Sequence, residues 1–269
     1  MLNRILFIGA GRMATAIAGG MAAGDFNLDT VTAFDISEAA AERFAAATGI
    51  RALGKDGLDG LIKASGTVIL AVKPQYLKTA LEGKKALLAD KLILSIVAGV
   101  KLARLEELTG SSRIARVMPN TPALVGAGAS AYAMPGIREP EERQLVRRIL
   151  EAVGVAVEIP EALFDAVTAL SGSGPAYVLE MIQALADGGV LLGLPRELAL
   201  ALAAQTVAGT ARLVQKTGEH PSVLRDQVTS PGGTTAQALL ALETGAFKGT
   251  LLKAMTAAAE RSAELGKSK

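Results

Sequence analysis

The sequence contains no cysteine, and its only histidine is His220. The first absence excludes disulfides, thiolate nucleophiles and metal sites built on cysteine. The second excludes a histidine-rich metal centre, so we expect the protein to hold no metal. A chain without cysteine is also easily accommodated in a reducing compartment, and we therefore expect a cytoplasmic protein.

Aromatic residues are scarce, at 3% of the chain, and tryptophan is absent. The core must therefore be built from Ala, Leu, Val and Ile, which favours closely packed helices over aromatic stacking surfaces. The net charge is +2, from 28 basic and 26 acidic residues that are interspersed along the chain. This balance offers no surface for a polyanion, so we expect no nucleic-acid partner.

Long apolar runs suited to a membrane are also missing. The longest uncharged run, residues 117–137, contains three prolines and three glycines and cannot be a membrane helix. Residues 198–211 are apolar and helical in character, but they are shorter than the roughly 20 residues that span a bilayer. No cationic and apolar signal segment opens the chain, which starts directly on a core strand. We expect a soluble protein without a membrane partner.

The N-terminal stretch carries the clearest functional pattern. Residues 5–8 are apolar strand formers, Gly9-Ala10-Gly11 follows, and an alanine-rich helix then extends to Gly24. Strand, Gly-x-Gly and helix in this order begin a dinucleotide-binding unit, in which the helix N-terminus offers N–H groups to a pyrophosphate. Glycine also ends strands for purely structural reasons, which is the alternative. The predicted cofactor-binding residues here are Gly9, Ala10, Gly11, Arg12, Met13 and Ala14.

An acidic residue ends the second predicted strand, residues 30–35. Asp35 lies a little over 20 residues beyond the glycine loop, where a carboxylate can hold the adenosine ribose hydroxyls. Ser37 is suited to cap a helix that runs to Thr48 and stops at Gly49. The alternative for Asp35 is an ordinary loop aspartate at a strand end.

Strands and helices continue to alternate up to residue 159. We predict strands at 67–72, 92–97, 113–117, 129–134 and 155–159, with helices at 58–64, after Pro74, at 101–108 and at 139–153. This alternation predicts a doubly wound, mostly parallel sheet that collects ligands at the carboxyl ends of its strands. Lys73 and Asn120 fall at such ends, although either could be a strand-end cap. We add Ala71, Val72, Lys73, Pro74 and Asn120 to the predicted cofactor site.

The character of the sequence changes at Pro160, after which no segment alternates like a strand. We predict a dinucleotide-binding domain over residues 1–159 and an all-helical substrate and dimerisation domain over residues 160–269. Its helices are expected at 161–170, 175–192, 195–216, 235–243 and 247–265. Several are apolar on nearly every face and must be buried, either through the domain centre or against a second subunit. We favour the second subunit, and thus a homodimer or a larger homo-oligomer built from dimers.

Five short motifs resemble those of Δ1-pyrroline-5-carboxylate reductase, the enzyme of the last step of proline synthesis. The resemblance covers the whole chain, in order and at comparable spacing, and Thr229-Ser-Pro-Gly-Gly-Thr-Thr235 is its most specific element. It implies an N-terminal Rossmann-like sheet followed by an all-α dimerisation domain. The motifs are Ala71-Val-Lys-Pro74, Met118-Pro-Asn-Thr-Pro122, Leu170-Ser-Gly-Ser-Gly-Pro-Ala-Tyr177, Asp187-Gly-Gly189 and Asp226 to Leu239.

The segment from Ser230 to Thr235 has the composition of a carboxylate site. Pro231-Gly-Gly233 cannot continue a helix, whereas Thr234-Thr-Ala-Gln237 has capping-box spacing and is expected to start one. An ordinary capped turn is the alternative. The resemblance implies that Ser230 and the backbone of Gly233 and Thr234 take the carboxylate of a small cyclic imino acid. It also implies that the Thr235 hydroxyl faces the imine nitrogen, as the catalytic group.

The resemblance further implies hydride transfer from NADPH or NADH to carbon C5 of the imine, giving L-proline. Many members favour NADPH and carry small or basic residues after the second strand, where this chain has Asp35. A carboxylate repels the 2′-phosphate, so we expect NADH to be at least competitive. Ser173-Gly-Pro175 could merely break and restart a helix, His220 is expected to be structural or solvated, and Asp187 should have a partner.

Two other functions fit the outline of the chain. A 3-hydroxyacid dehydrogenase has the same order of domains. Enzymes of that kind, however, resemble one another in using a lysine on a helix of the second domain. No lysine occurs between Glu161 and Gln215, which counts against that function. A non-catalytic module that senses dinucleotides is the second alternative, and it would not need the polar loop from Ser230 to Thr235.

Overall fold

The structure, a computed structural model, describes residues 4–267, and within them eight strands form a single sheet. The strand order is β3-β2-β1-β4-β5-β6-β7-β8, and all neighbours are parallel except the antiparallel pair β6 and β7. The predicted doubly wound sheet is confirmed. The strands are β1 (Ile5–Ile8), β2 (Val31–Asp35), β3 (Ala52–Gly54), β4 (Thr67–Leu70), β5 (Leu92–Ser95), β6 (Ile114–Met118), β7 (Gly128–Ala133) and β8 (Gly154–Glu158).

Helices cover both faces of the central strands, which explains why those strands are continuously apolar. Alternate residues of β1 enter different cores, with Ile5 and Phe7 on one face and Leu6 and Ile8 on the other. All four are almost completely buried. The helices of this part are α1 (Arg12–Ala23), α2 (Glu38–Thr48), α3 (Leu58–Ala64), α4 (Leu77–Leu81), α5 (Lys85–Leu88), α6 (Leu102–Thr109) and α7 (Pro140–Glu151).

Helix α1 approaches the end of α7 unusually closely. At Gly20 a methyl group in place of the glycine hydrogen would come within 2.5 Å of the Ala152 carbonyl oxygen. Only a residue without a side chain allows this contact, which is reinforced by the burial of Ile17 and Met21 on the same helix. The contact fixes the position of α1, and therefore of the N-terminus that the sequence assigns to the cofactor.

The segment after β8 is not the single helix predicted over residues 161–170. It consists of a 3₁₀ turn (Glu161–Leu163), the short helix α8 (Phe164–Val167) and a π-helical segment (Thr168–Gly172). Glu161 accepts hydrogen bonds from the Arg116 guanidinium at 2.8 Å and from the Leu102 N–H at 2.7 Å. The Arg116 guanidinium also lies 4.2 Å from the centre of the Phe164 ring. These contacts hold the start of the segment against β6 and the first turn of α6.

By internal contacts the chain divides into two compact units. One contains the residues up to Ser173 together with those from Ala258 onward, and the other runs from Gly174 to Ala257. In the second unit the helices α9 (Gly174–Leu191) and α10 (Arg196–Thr217) pack against each other around the buried Ala186, Ala199 and Ala203. The helices that follow α8 are α9 (Gly174–Leu191), α10 (Arg196–Thr217), α11 (Pro221–Gln227), α12 (Thr234–Thr244) and α13 (Phe247–Lys267).

Asp187, the acidic residue in the apolar helix α9, has the partner that the sequence led us to expect. Its carboxylate forms an ion pair with Arg196 at the start of α10. The pair therefore bridges the two helices near their connection. Gly189 lets α9 approach α10 closely, since an added methyl group there would be 3.0 Å from the Ala199 Cβ atom.

His220 lies at a helix start that the sequence did not predict. Pro221 is the first residue of α11, and the His220 Nδ1 atom accepts the Ser222 N–H at 3.2 Å. Proline is favoured at a first helical position because its missing N–H would be unpaired there in any case. His220 is thus a helix cap, in agreement with the structural role expected for it.

The helices of the second unit leave much of their apolar surface uncovered in the single chain. Leu191 and Leu192 are 87% and 86% exposed, and Leu198, Leu200 and Leu202 on α10 are about half exposed. The alternative in which these helices bury one another through the domain centre is therefore wrong. Over residues 4–267, no helix has the length and apolar character needed to cross a membrane.

Candidate functional site

The glycine loop begins where β1 passes close to the neighbouring strand β4. Gly9 has a φ of +105°, and an added methyl group would lie 2.7 Å from the carbonyl carbon and oxygen of Ala71. The Gly9 N–H donates to the Phe34 carbonyl at 2.8 Å, while the Ala71 N–H donates to the Ile8 carbonyl at 2.8 Å. Both the conformation and the lack of space require glycine at this turn.

Gly11 differs from Gly9 because its surroundings are open. It is the N-cap of α1 with a φ of −76°, and an added methyl group would meet no atom of the described chain within 4 Å. No side chain of the described residues caps α1, so the first N–H groups of the helix are left open to a ligand. An uncapped helix N-terminus beside an open glycine suits a pyrophosphate. The residues present therefore fit a dinucleotide.

The remaining residues of the fingerprint take the positions that the sequence predicts for them. Arg12 is exposed at the first helical position, Met13 is half-buried and Ala14 is only 1% exposed. Ala14 therefore fills the closely packed position that a third glycine occupies in the usual fingerprint.

Asp35 supports the glycine loop directly, a role that the sequence did not predict. One carboxylate oxygen accepts the Ala10 N–H at 2.8 Å, and the other accepts the Ser37 N–H at 2.9 Å. These two bonds orient the carboxylate at the carboxyl end of β2, beside the loop. The structure thus brings Gly9, Ala10, Asp35 and Ala71 together at one edge of the sheet.

Lys73 follows the end of β4, and this strand is two residues shorter than predicted. The lysine is exposed and precedes a 3₁₀ turn over Pro74–Tyr76. Among the described residues its ammonium group has no ion pair or hydrogen bond. Lys73 is therefore available to a ligand at this edge, and it does not cap the strand through its side chain.

Asn120 is engaged by protein groups on both sides of its amide. Its Oδ1 atom accepts the Ala129 N–H at 2.8 Å, and its Nδ2 atom donates to the Ser171 Oγ atom at 3.2 Å. The Ser171 hydroxyl in turn donates to the Ala129 carbonyl at 3.2 Å. Asn120 thus joins β6, β7 and the π-helical segment, and its contact with the cofactor stays a prediction. Ser171 was missed, although it lies in a motif otherwise explained as a helix break.

The loop that precedes α12 has a tight internal fold. Gly232 has a φ of +67°, and the Gly233 N–H donates to the Ser230 carbonyl at 3.0 Å. An added methyl group at Gly233 would overlap the Ser230 hydroxyl. Gly233 is the N-cap and Thr234 the first helical residue, so the predicted capping box of Thr234 and Gln237 is wrong. A capping box would need Thr234 as the N-cap. The turn closed by the hydrogen bond from Gly233 to Ser230 makes Gly233 the N-cap instead, so the helix begins one residue earlier.

This start of α12 leaves several hydrogen-bonding groups free. No side chain of the described protein caps the helix, and neither the Thr234 nor the Thr235 hydroxyl has a hydrogen-bond partner there. Threonines deeper in helices, such as Thr206 and Thr244, donate to the carbonyl four residues earlier. In the first turn that carbonyl does not belong to the helix, so the Thr235 hydroxyl remains available. Thr235 is half-buried, whereas Ser230 and Thr234 are exposed.

A cavity of about 370 Å³ occurs in the first unit, but no predicted site residue lines it. Both carboxylates in its lining are already engaged, Glu161 by Arg116 and Asp165 by the Ser262 hydroxyl. We therefore assign it no ligand. Among residues 4–267 no cluster of His, Asp and Glu could hold a metal ion. The clear shifts of acidic pKa occur elsewhere, where hydrogen bonds from Arg148 and Arg104 lower the pKa of Asp25 and of Glu107.

Two family models match this chain, and together they cover most of it. A model described as pyrroline-5-carboxylate reductase dimerisation matches residues 161–265. Another, described as NADP oxidoreductase, coenzyme F420-dependent, matches residues 4–99. The two matches correspond to the strand-rich and helical parts of the sequence.

Individual relatives agree with the first of these models. The chain is 46% identical to a pyrroline-5-carboxylate reductase of Arabidopsis thaliana, over 98% of this chain and 96% of that protein. It is similar to the structure of a pyrroline-5-carboxylate reductase from Coxiella burnetii, with a TM-score of 0.91, 34% identity and coverage of 98% and 99%. The Plasmodium falciparum enzyme, solved with NADP bound, gives a TM-score of 0.86, 35% identity and 98% coverage of both chains.

The two loop glycines are expected to respond differently to the same added methyl group. Gly11→Ala should change the free energy of unfolding by at most about 1 kcal/mol, since the site is open and alanine adopts its φ. It should weaken NADH binding by about tenfold or more, because the backbone can no longer approach the pyrophosphate. Thermal unfolding and fluorescence titration with NADH measure the two effects.

Gly9→Ala is the matched control. It should lower stability by about 1–3 kcal/mol as well as weaken binding, because its methyl group collides with Ala71. Unchanged NADH affinity in Gly11→Ala would show that the cofactor does not approach this loop.

Proposed function

The chain belongs to the pyrroline-5-carboxylate reductase family, and we propose how its own residues divide the work of the reaction. The enzyme reduces L-1-pyrroline-5-carboxylate to L-proline with a nicotinamide dinucleotide, in the last step of proline biosynthesis. Membership in this family removes the support for a 3-hydroxyacid dehydrogenase or a non-catalytic sensor. Its substrate is a small imino acid.

The dinucleotide is held along the edge of the sheet where β1, β2 and β4 end. The uncapped N-terminus of α1 at Gly11 and Arg12 takes the pyrophosphate, because its N–H groups and the helix dipole favour an anion. Asp35, already fixed by two backbone N–H groups, takes the adenosine ribose. The segment from Ala71 to Pro74, together with Asn120, serves the nicotinamide end, and the bound reduced nicotinamide supplies the hydride.

The substrate carboxylate binds at the start of α12. Ser230 and the backbone N–H groups of Gly233 and Thr234 surround this helix N-terminus, where the helix dipole favours negative charge. The observation that carries the assignment is the absence of a side-chain cap on α12 among the described residues. A first turn that no protein group caps can bind an anion without displacing an existing bond.

Thr235 acts on the imine nitrogen. Arrival of hydride at carbon C5 turns the imine into an amine, so a hydroxyl held beside the nitrogen can stabilise the transition state more than the bound substrate. The hydroxyl has no partner among the described residues, and it is half-buried beside the proposed carboxylate site. It can therefore donate to the nitrogen or relay a proton to it.

Thr235→Ala tests the assignment. The variant should lower kcat/KM for pyrroline-5-carboxylate by roughly 10- to 100-fold, because one hydrogen bond to a charging group contributes roughly 1.5–3 kcal/mol. NADH affinity, set at Gly9 to Ala14, should stay nearly unchanged. Steady-state oxidation of NADH and a fluorescence titration measure these quantities.

Thr235→Ser serves as the control. It keeps the hydroxyl and should recover most of the activity. Because Gly233 rather than a threonine is the N-cap, neither substitution removes a cap. If Thr235→Ala turned over substrate as fast as the parent, the proton would have to come from water and the role given to Thr235 would be wrong.

We infer that NADH is at least competitive with NADPH in this enzyme. The Asp35 carboxylate is oriented at the end of β2, where an adenosine 2′-phosphate would meet it. Two like charges at short range repel, whereas the ribose hydroxyls of NADH can donate to the carboxylate. Either cofactor can supply the hydride, and Asp35 biases the choice.

Asp35→Ser should shift the ratio of the kcat/KM values toward NADPH by roughly tenfold, or about 1.4 kcal/mol. Parallel assays with the two cofactors give the ratio. Asp35→Asn is the matched variant, because it removes the charge and keeps an oxygen for the Ala10 N–H. A ratio that neither variant changed would mean that the phosphate is bound elsewhere.

We propose that the helices of residues 160–269 form a homodimer, or a larger assembly built from dimers, and that the functional division of the chain lies between residues 159 and 160. The dimerisation family model matches residues 161–265, and the exposed leucines of α9 and α10 supply the apolar surface. The cytoplasmic location predicted from the sequence remains a proposal.

Static light scattering at decreasing concentration checks the assembly. We expect a mass of at least two chains even in dilute solution, because the uncovered apolar helix surface destabilises an isolated chain. A stable and active monomer would contradict the proposal.

A further inference from the structure

The edge strand β3, which the sequence did not predict, ends directly beside Asp35. In the parallel register of β2 and β3, Asp35 is the partner of Gly54. Lys55 follows immediately, so a lysine lies one residue beyond the position that faces the ribose-binding carboxylate. Along the sequence the arginine nearest to Asp35 is Arg43 in α2, and only the pairing of β2 with β3 brings Lys55 to this strand end.

Lys55 forms an ion pair with the first residue of α2. Its Nζ atom lies 3.1 Å from the Glu38 Oε1 atom, and the two side chains are 69% and 62% exposed. Glu38 follows Asp35 by three residues and packs over Gly54, where an added methyl group would be 3.0 Å from its Cγ atom. Three charged groups, two acidic and one basic, therefore surround the end of β2.

The backbone of Lys55 is in an unusual conformation for a residue with a side chain. Its φ is +54°, and among the described residues only Ala246 is another non-glycine with a positive φ. This region of backbone space is unfavourable for L-residues other than glycine, asparagine and aspartate. The turn that requires it also brings the Lys55 ammonium group to Glu38.

We propose that Lys55 determines how strongly the enzyme holds an adenosine 2′-phosphate, and that Glu38 weakens this hold by pairing with it. The proposal rests on the placement of the adenosine ribose at Asp35. A 2′-phosphate at this place is repelled by Asp35 and Glu38 and attracted by Lys55. Without the phosphate, the pair of Lys55 and Glu38 is neutral, and NADH meets only Asp35.

The strength of the existing pair suits such an exchange. An ion pair between two exposed side chains contributes little to stability, so a phosphate with nearly two negative charges can compete with Glu38 for the lysine. Glu38 thereby lowers NADPH affinity in two ways, by direct repulsion and by occupying Lys55. The second contribution exists only while Lys55 is present, and this distinguishes it from simple repulsion.

A double-mutant cycle separates these contributions. We would measure the dissociation constants of NADPH and NADH by fluorescence titration, and kcat/KM with each, for Glu38→Gln, Lys55→Gln and the double variant. Lys55→Gln should weaken NADPH binding about tenfold and change NADH binding less than about twofold. Glu38→Gln should tighten NADPH binding several-fold when Lys55 is present. When Lys55 is already replaced, the same substitution should change the logarithm of the NADPH dissociation constant by less than half as much.

Arg43→Gln is the matched control, because it removes one exposed positive charge from α2 and leaves the pair of Lys55 and Glu38 intact. It should change NADPH affinity less than about twofold. The proposal is overturned if Arg43→Gln weakens NADPH binding as much as Lys55→Gln does. Fully additive effects of Glu38→Gln and Lys55→Gln would also overturn it, since they would mean direct repulsion alone.

The dissociation constants of NADPH and NADH do not depend on turnover, so they test this inference separately from the proposed function. If the variants bind both nucleotides but no variant or parent reduces pyrroline-5-carboxylate, the proposed function fails, and the cycle in dissociation constants still decides the role of Lys55. If turnover with NADH is normal and Lys55→Gln leaves NADPH affinity unchanged, the inference fails and the proposed function stands.

Discussion

At Gly9 the backbone of β1 runs so close to Ala71 that no side chain fits between them, and much of the nucleotide site depends on this contact. The turn at Gly9 directs the chain into α1, whose position is fixed at its other end by the approach of Gly20 to Ala152. It also presents the Ala10 N–H to Asp35. The close approaches at Gly9 and Gly20 thus place the N-terminus of α1 beside the Asp35 carboxylate. The helix N-terminus suits the pyrophosphate of a dinucleotide, and the carboxylate suits its ribose.

The second part of the site follows the same principle of an unpaired helix start. The turn at Gly233 starts α12 without a side-chain cap in the described chain, and Thr235 is too close to the start to donate back into its own helix. Groups that are ordinarily satisfied within the protein therefore stay unpaired among the described residues, as the proposed carboxylate site requires. The exposed leucines of α9 and α10 leave a large apolar surface uncovered in the single chain, and such a surface is typical of an interface between proteins.

Much of the fold could be predicted because buried parallel strands are short, continuous apolar runs. The strand at Ile5–Ile8 was placed correctly on that basis, and the helix at Leu58–Ala64 was also predicted with its observed bounds. Strand β3 was missed because it has only three residues at a sheet edge, where neither alternation nor a long apolar run marks it. The segment after Glu161 is predicted as one helix because its composition is helical, whereas in the folded chain it is divided into 3₁₀, α and π turns, which composition does not distinguish.

The sequence by itself determined which residues reach the carboxyl ends of the strands, because turn glycines and strand lengths are local properties. Its motifs also identified the family, and they predict a carboxylate site at the start of α12. Only the tertiary structure decided that Asp35 supports Ala10, that Asn120 holds Ala129 and Ser171, and that Lys55 pairs with Glu38. These contacts join segments whose register and turns are set by the packing of the whole sheet. A local sequence pattern therefore does not predict which of these side chains come within hydrogen-bonding distance of each other.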